Sequence, residues 1–298
     1  MPKYPVVGLA LGGGGARGLA HIGVIRVLQR HHIPFDLVTG SSMGAVVGAA
    51  YALLQDIDRL EALAYEMVEK VPQLEEMANV RQMTRAQRQV LRRFFNFMKE
   101  LFILNLEATK KSLLDRDKVL PLLEDIFNRY TFADLKIPFG AVATDLRTGM
   151  EVLLREGELI PALLASSAIP GVFEPVEWDG YLLVDGCVTS TVPVEAARKM
   201  GADFIIAVNV EADVDRQDFD SAVEILFQVD DIRGQELNRL KLRSADVVIE
   251  PDIGHINWAQ FSKIRECVQK GEQAAEAKVA QIKNKLAREK LKFWNIFR

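Results

Sequence analysis

Gly40-Ser41-Ser42-Met43-Gly44 is the stretch of sequence that decides the fold. It has the pattern G-x-S-x-G and lies between the mostly apolar residues 35–39 and the alanine-rich residues 45–54. The first flank predicts a buried strand and the second predicts a helix. A serine on such a strand-to-helix turn projects its hydroxyl out of the sheet, beside the positive end of a helix dipole. The pattern therefore makes Ser42 a candidate nucleophile.

Apolar runs and helical patterns alternate along the rest of the chain. This alternation predicts the α/β class, as one doubly wound domain over residues 1–298. Turn signals at Thr144–Gly149 and at Asp179-Gly180 add two predicted hairpins. The main predicted strands are Val6–Leu11, Ile137–Thr144, Phe204–Val210 and Val247–Ile249, and the main predicted helices are Leu19–Arg30, Asp56–Lys70, Ser221–Leu242 and a long one from Ile264 onward.

A glycine-rich loop, Gly12–Gly18, joins the first predicted strand to the first predicted helix. In one interpretation it is a dinucleotide fingerprint, which needs an acidic residue at the end of the second strand; Asp36 has nearly the right spacing but lies at the start of that strand. In the other interpretation the loop is an oxyanion hole, whose Gly14 and Gly15 amides face the carbonyl that Ser42 attacks. A bare turn is the third interpretation, and four consecutive glycines make it costly in chain entropy.

A serine nucleophile also needs a base. Asp185 follows the apolar run Leu182–Val184, so its carboxylate is predicted at the carboxyl end of a buried strand, where open α/β sheets place their sites. Ser42, Asp185 and His255 follow the chain order of an α/β-hydrolase triad. The alternative is a dyad in which Asp185 itself accepts the proton, because burial tunes a carboxylate to act as a general base.

Five blocks of the sequence occur together: Gly13–Gly18 with Leu19–Gly23, Gly40–Gly44, Ala143–Asp145, Ala165–Pro170 with Phe173, and Asp185-Gly186. In this combination the sequence resembles the patatin-like phospholipases of bacterial type. The joint occurrence of the blocks is far more specific than any one of them. The Asp185-Gly186 block departs from the family pattern only at Cys187, where the pattern has glycine or alanine.

The resemblance implies a three-layer α/β/α fold with a mainly parallel central sheet. It implies a Ser42–Asp185 dyad that hydrolyses acyl esters of lipids, as a phospholipase A or lysophospholipase does, without a metal or cofactor. It also implies that His255 is not the base. The implied site further contains the oxyanion-hole residues Gly13, Gly14 and Gly15 and the motif residues Arg17, Gly18, Gly40, Gly44 and Gly186. A scaffold or regulatory adaptor that keeps this fold with a weak site is the alternative function.

Composition narrows the function classes further. The net charge is −4, which excludes the electrostatic footprint of a nucleic-acid-binding protein. Cys187 and Cys267 form neither a metal-binding spacing nor a disulfide framework, so we expect a reducing, cytoplasmic setting. The N-terminal residues do not resemble a signal peptide, and the longest apolar run is well short of a membrane span.

Two basic segments are candidates for peripheral contact with an anionic membrane. The first is a basic, aromatic, helical insert near 79–115, whose arginines and phenylalanines concentrate in 81–102. The second is an amphipathic helix near 264–298, most basic in 281–298. Cationic and aromatic side chains suit lipid phosphate and the bilayer interface. For each segment the alternative is a helix packed on the body with solvated charges.

Overall fold

The structure, a computed structural model, describes residues 4–70, 120–212 and 222–296. The predicted insert near 79–115 lies outside these residues.

A mainly parallel mixed sheet forms the centre of the fold. Its strand order is β5-β6-β3-β2-β1-β7-β8, and β4 pairs with β3 beside this path. The pairs β3–β2, β2–β1, β1–β7 and β7–β8 are parallel, whereas β4, β5 and β6 join in antiparallel fashion. The strands are β1 (Val7–Leu11), β2 (Leu37–Ser41), β3 (Phe139–Asp145), β4 (Glu151–Leu154), β5 (Val176–Trp178), β6 (Tyr181–Asp185), β7 (Phe204–Val208) and β8 (Val247–Ile249).

Helices cover both faces of this sheet. The strands β1 and β7 are buried along their whole length, as strands covered on two sides must be. Two hydrophobic core clusters result, and the alternating side chains of β7 contribute to both: Ile206 belongs to one cluster and Ile205 to the other. This confirms the predicted three-layer α/β/α fold. The helices are α1 (Ala20–Arg30), α2 (Met43–Leu54), α3 (Ile57–Glu69), α4 (Leu120–Phe127), α5 (Leu159–Ser166), α6 (Val194–Lys199), α7 (Ala222–Leu242) and α8 (Ile264–Ile296).

The C-terminal helix α8 packs against α1 at very short range. Gly23 of α1 faces the Val268 carbonyl, and Gly271 of α8 faces the Ala20 carbonyl; a Cβ at either glycine would collide with that backbone. Farther along α8, Ile282 and Leu286 are buried against the body, whereas the lysines around them are exposed. The apolar side of α8 therefore serves packing through Leu286, and membrane contact by 281–298 stays a prediction.

The second strand begins two residues later than the sequence predicts, at Leu37 instead of Phe35. Asp36 is held outside the strand because its carboxylate accepts a hydrogen bond of 2.7 Å from the Val7 amide. Val7 starts β1, whereas the glycine loop follows the other end of that strand. Asp36 therefore lies at the amino end of β1, whereas the glycine loop lies at its carboxyl end. This separation rules out Asp36 as the ribose ligand of a dinucleotide site. The other predicted strands lie within two residues of the observed ones.

The strand pairings bring the carboxyl ends of β2 and β6 together on one edge of β3. The strand β4 pairs with residues 141–144 of β3, so it occupies one edge of that strand. The strands β2 and β6 pair with residues that overlap this range, so both must use the opposite edge. There Ser41 is opposite Val142, and Asp185 is opposite the next residue, Ala143. The residue after β2 and the last residue of β6 are thereby adjacent.

Candidate active site

Ser42 occupies the sharp turn between β2 and α2. Its backbone has φ 51° and ψ −125°, a positive φ that is uncommon for a residue with a side chain. Hydrogen bonds to α5 stabilise this strained conformation. The Ser42 amide donates to the carbonyl (3.1 Å) and the hydroxyl (3.0 Å) of Ser166, at the end of α5. The Ser166 hydroxyl donates in turn to the Val142 carbonyl at 2.7 Å. This geometry has the features of a nucleophile elbow.

Small residues around Ser42 let the elbow pack against the glycine loop. A Cβ on Gly44 would collide with the carbonyls of Leu11 and Gly12. A Cβ on Gly40 would collide with the backbone of the first turn of α2, and one on Gly18 would collide with the Met43 side chain. These three glycines therefore set the distance between β1, the elbow and the first turn of α2.

Asp185 ends β6 beside Ser42 and is 3% exposed. Its carboxylate accepts a hydrogen bond of 2.8 Å from the Cys187 amide, and its own amide donates to the Ala168 carbonyl at 2.9 Å. Burial raises the pKa of Asp185, while hydrogen bonding from the Cys187 amide, the Ser42 side chain and the Cys187 thiol acts in the opposite direction. The structure therefore places a buried carboxylate with a raised pKa beside Ser42.

The glycine loop lies against Ser42, but its amides differ in their partners. The Gly12 amide donates to the Val208 carbonyl at 3.0 Å, and the Gly13 amide donates to the Thr191 carbonyl at 2.9 Å. Within the described part of the chain, the amides of Gly14 and Gly15 have no acceptor. Gly15 has φ 56° and faces the Trp258 carbonyl so closely that a Cβ would not fit.

Arg17 fastens the glycine loop to the segment before α8. Its Nη1 donates to the Ile256 carbonyl at 3.3 Å, while its Nε is buried without a partner in the described residues. Burial lowers the pKa of Arg17, and the nearby Glu211 carboxylate counteracts this effect. These contacts favour a structural role for Arg17.

The histidines of this region have structural partners. His21 is fully buried, its Nε2 lies 2.7 Å from the Gly12 carbonyl, and burial lowers its pKa to about 4. His21 is therefore neutral near pH 7, and its Nε2–H donates to the glycine loop. His255 is exposed and lies 2.7 Å from a Glu266 oxygen. It does not line the cavity at Ser42.

An apolar cavity of about 160 Å³ opens at Ser42. It follows one side of α2 and is also lined by residues of α3, α4 and the end of α5. Among the described residues that line it, Glu174 carries the only charged side chain. The lining consists of Gly15, Leu19, Ile22, Ser42, Met43, Val46, Val47, Ala50, Leu60, Ala64, Met67, Val68, Leu122, Leu123, Ile126, Leu164, Ser167, Ala168, Ile169, Phe173, Glu174, Trp258 and Phe261.

Neither a metal centre nor a membrane span is present in the parts of the chain that the structure describes. No group of three or more histidine, cysteine, aspartate or glutamate side chains there could hold a metal ion. No helix within residues 4–70, 120–212 and 222–296 is long and apolar enough to cross a membrane.

Three residues that support the site were not singled out individually from the sequence. Ser166 holds the elbow, Thr191 holds the Gly13 amide, and the Trp258 carbonyl accepts from the Ala16 amide at 2.6 Å. Ser166 lies inside the block Ala165–Pro170 that carries the family resemblance, so a signal for it existed. Thr191 and Trp258 act through backbone carbonyls, which leave no trace in side-chain patterns.

The fold and the site together define a class: a three-layer α/β/α protein whose strand-to-helix serine lies beside a buried aspartate and an apolar cavity. The particular family follows from comparison with known proteins. The model of the family described as patatin-like phospholipase matches residues 9–198, and this chain belongs to that family.

Individual relatives agree with this assignment. An uncharacterized NTE family protein of Mycobacterium tuberculosis is 37% identical over 206 residues, which cover 69% of this chain and 49% of the relative. Patatin-like phospholipase domain-containing protein 6 of Homo sapiens is 29% identical over 206 residues, which cover 68% of this chain and 13% of the relative. The chain thus matches about half, or much less, of the length of these relatives.

A solved structure shares the fold. VipD from Legionella pneumophila superposes with a TM-score of 0.50 and 15% sequence identity, covering 94% of this chain and 67% of VipD. At this identity the likeness concerns the fold alone.

Proposed function

We propose that this protein is a serine hydrolase that cleaves acyl esters of lipids, with Ser42 as nucleophile and Asp185 as base. The observation that carries the proposal is the position of Ser42, which lines the apolar cavity on one side and contacts a buried carboxylate on the other. Membership of the patatin-like phospholipase family supports the same reaction class.

The first step transfers a proton. Asp185 accepts the hydroxyl proton of Ser42 while the oxygen attacks the ester carbonyl and forms a tetrahedral intermediate. Burial raises the pKa of Asp185, and a carboxylate whose pKa lies closer to the working pH is a stronger general base. The strained backbone at Ser42 presents its hydroxyl to the Asp185 carboxylate and to the ester carbonyl.

The amides of Gly14 and Gly15 stabilise the oxyanion. Both are without an acceptor in the described residues, so they are available to a ligand. The predicted third donor, Gly13, has its amide committed to Thr191, so we assign it a packing role beside Ser42. A single donor of this kind contributes about 3–4 kcal/mol to transition-state stabilisation.

The second half of the reaction releases the acid. The tetrahedral intermediate expels the alcohol, which takes the proton held by Asp185, and leaves an acyl group on Ser42. Asp185 then removes a proton from water, the hydroxide equivalent attacks the acyl-enzyme, and Ser42 recovers its proton. Each step needs only Asp185 as acid and base, in agreement with the position of His255 outside the cavity.

The shape of the cavity favours a fatty acyl chain as the group transferred to Ser42. Its lining follows α2 from Met43 through Val46 and Val47 to Ala50. From Ser42 to Ala50 this helix advances about 12 Å, enough for a chain of intermediate length in an extended conformation. Ala50 is 1% exposed, so a larger side chain there would enter the cavity.

The test of the reaction compares three variants with the wild type on a panel of lipid esters. We expect Ser42→Ala to abolish hydrolysis, Asp185→Asn to lower it strongly and His255→Ala to retain it, with circular dichroism showing that each variant folds. Loss of activity in folded His255→Ala, equal to that of Ser42→Ala, would contradict the dyad. A fluorophosphonate probe that leaves folded wild-type protein unlabelled would favour the scaffold or adaptor function instead.

The test of the acyl chain uses the cavity wall. We expect Ala50→Phe to lower the rate on decanoyl esters much more than on butyryl esters, because the ring would fill the inner part of the cavity. The exposed Ala287→Phe on α8 provides a matched control. Equal losses on both esters in Ala50→Phe would contradict the assignment of the cavity to the acyl chain.

A further inference from the structure

The side chains of Ser41 and Cys187 lie beside Asp185, and neither lines the cavity at Ser42. The Cys187 thiol interacts with the Asp185 carboxylate. Its sulfur also lies 3.6 Å from the Ser41 hydroxyl, within the range of a hydrogen bond to sulfur. Ser41 is fully buried, and it directly precedes the candidate nucleophile. Neither side chain has a part in the steps described above.

The donor and acceptor roles of these side chains follow from charge. An ionised carboxylate can only accept, so the thiol must donate its S–H to Asp185. The sulfur then accepts from the Ser41 hydroxyl. Burial and the neighbouring carboxylate both raise the pKa of Cys187 well above its ordinary value, so the thiol keeps the proton that it donates.

Two glycines make room for these side chains. A Cβ on Gly13 would collide with the Cys187 sulfur, and a Cβ on Gly186 would collide with the Val142 carbonyl and approach the Ser41 hydroxyl to 2.5 Å. The sulfur therefore packs between the glycine loop, the end of β2 and the end of β6. It touches each of the three segments that must be aligned for the proposed reaction.

We infer that Ser41 and Cys187 are positioning residues that orient the Asp185 carboxylate toward Ser42 through the chain Ser41 O–H to Cys187 S–H to Asp185. The inference rests on the proposed function for its kinetic meaning. It also marks a difference from the family pattern, because the glycine or alanine found there at position 187 could not donate.

The experiment measures the pH dependence of kcat/KM for wild type, Cys187→Ala and Cys187→Ser on one soluble ester. Loss of the S–H donor removes stabilisation of the carboxylate, so we expect the acidic limb of the Cys187→Ala profile to move to higher pH. A weak donor to a charge is worth roughly a threefold to tenfold loss of rate on that limb. Cys187→Ser keeps a donor and should restore the limb, and Ser41→Ala should give a smaller shift in the same direction as Cys187→Ala.

Two controls keep the outcome decisive. Cys267→Ala removes the other cysteine, which is buried in α8, and should leave the profile unchanged. A ¹³C NMR titration of the Asp185 carboxyl, assigned with Asp185→Asn, reads the same hydrogen bond without catalysis. If the wild type has no Ser42-dependent activity, the proposed function fails, while the titration still decides the role of Cys187. Identical limbs and titrations in wild type, Cys187→Ala and Cys187→Ser would overturn the inference.

Discussion

Two aspartates at the ends of neighbouring strands behave in opposite ways. Asp145 ends β3 and Asp185 ends β6, the strands pair with each other, and the residues are 1% and 3% exposed. The Asp145 carboxylate accepts from the hydroxyl and amide of Thr148, from the Leu182 amide and from the Arg147 amide. These hydrogen bonds lower its pKa, whereas burial raises the pKa of Asp185.

The difference teaches that hydrogen-bond donors and desolvation together decide what a carboxylate can do: donors dominate at Asp145, and desolvation dominates at Asp185. Asp145 closes the turn between β3 and β4, and its four protein donors leave it a weak base. Asp185 has one backbone donor together with the side chains of Ser42 and Cys187. A carboxylate that the protein leaves incompletely stabilised is available to take a proton.

The largest expected effect comes from replacing each aspartate by asparagine. Asp185→Asn should lower kcat/KM by about 10²–10⁴-fold, because a positioned general base contributes this much. Asp145→Asn should keep the specific activity of the folded protein but lower its Tm, because the amide is a poorer acceptor than the carboxylate. Activity assays with thermal denaturation of both variants test the contrast, and similar activity losses in the two would break it.

The next effect concerns stability in acid. It involves His21, a third buried ionisable residue, which gains a positive charge on protonation whereas the two aspartates lose a negative one. Its pKa is about 4 when folded, below the ordinary 6.5, so the unfolded chain binds more protons between these values. The stability is therefore full above pH 6.5 and decreases by about 3 kcal/mol as the pH falls to 4. His21→Gln can still donate to Gly12 but does not titrate, so urea denaturation of this variant should show a flatter dependence over that range.

A smaller effect separates the two aspartates by the sign of their pH dependence. Asp185, with a raised pKa, adds stability below the unfolded pKa that is lost as the pH rises through the folded value. Asp145, with a lowered pKa, adds stability above the unfolded pKa that is lost as the pH falls through the folded value. Near pH 7, Asp185→Asn should therefore raise Tm, because it removes a buried charge. A lower Tm in folded protein would contradict the account of Asp185 as a carboxylate destabilised by burial.

The smallest expected effect removes a single donor from Asp145. Thr148→Val deletes the hydroxyl that donates to Asp145 at 2.7 Å but keeps the Thr148 amide. Tm should decrease slightly and kcat/KM should stay the same, since three backbone donors continue to hold the turn. A large loss of activity would show that the turn and the dyad are coupled.

The sequence predicts those parts of the site that depend on local patterns. The elbow at Ser42, the glycine loop and Asp185 at the end of a strand each follow from a few adjacent residues, and the structure brings them together. Asp36 could not be placed from spacing alone, because its hydrogen bond to Val7 depends on the pairing of two strands. The engagement of the Gly13 amide by Thr191 is likewise a long-range contact, which no local pattern contains.

The meeting of β2 and β6 on one edge of β3 has a consequence for the newly made chain. Ser42 and Asp185 are 143 positions apart in sequence and become neighbours only when β6 pairs beyond Ser41 along β3. Contacts of such separation form late, since the intervening chain must first be ordered. A ribosome-bound fragment that ends before Asp185 contains the serine without its base. If the proposed function holds, the lipids of the cell are exposed to this hydrolase only after its sheet is complete.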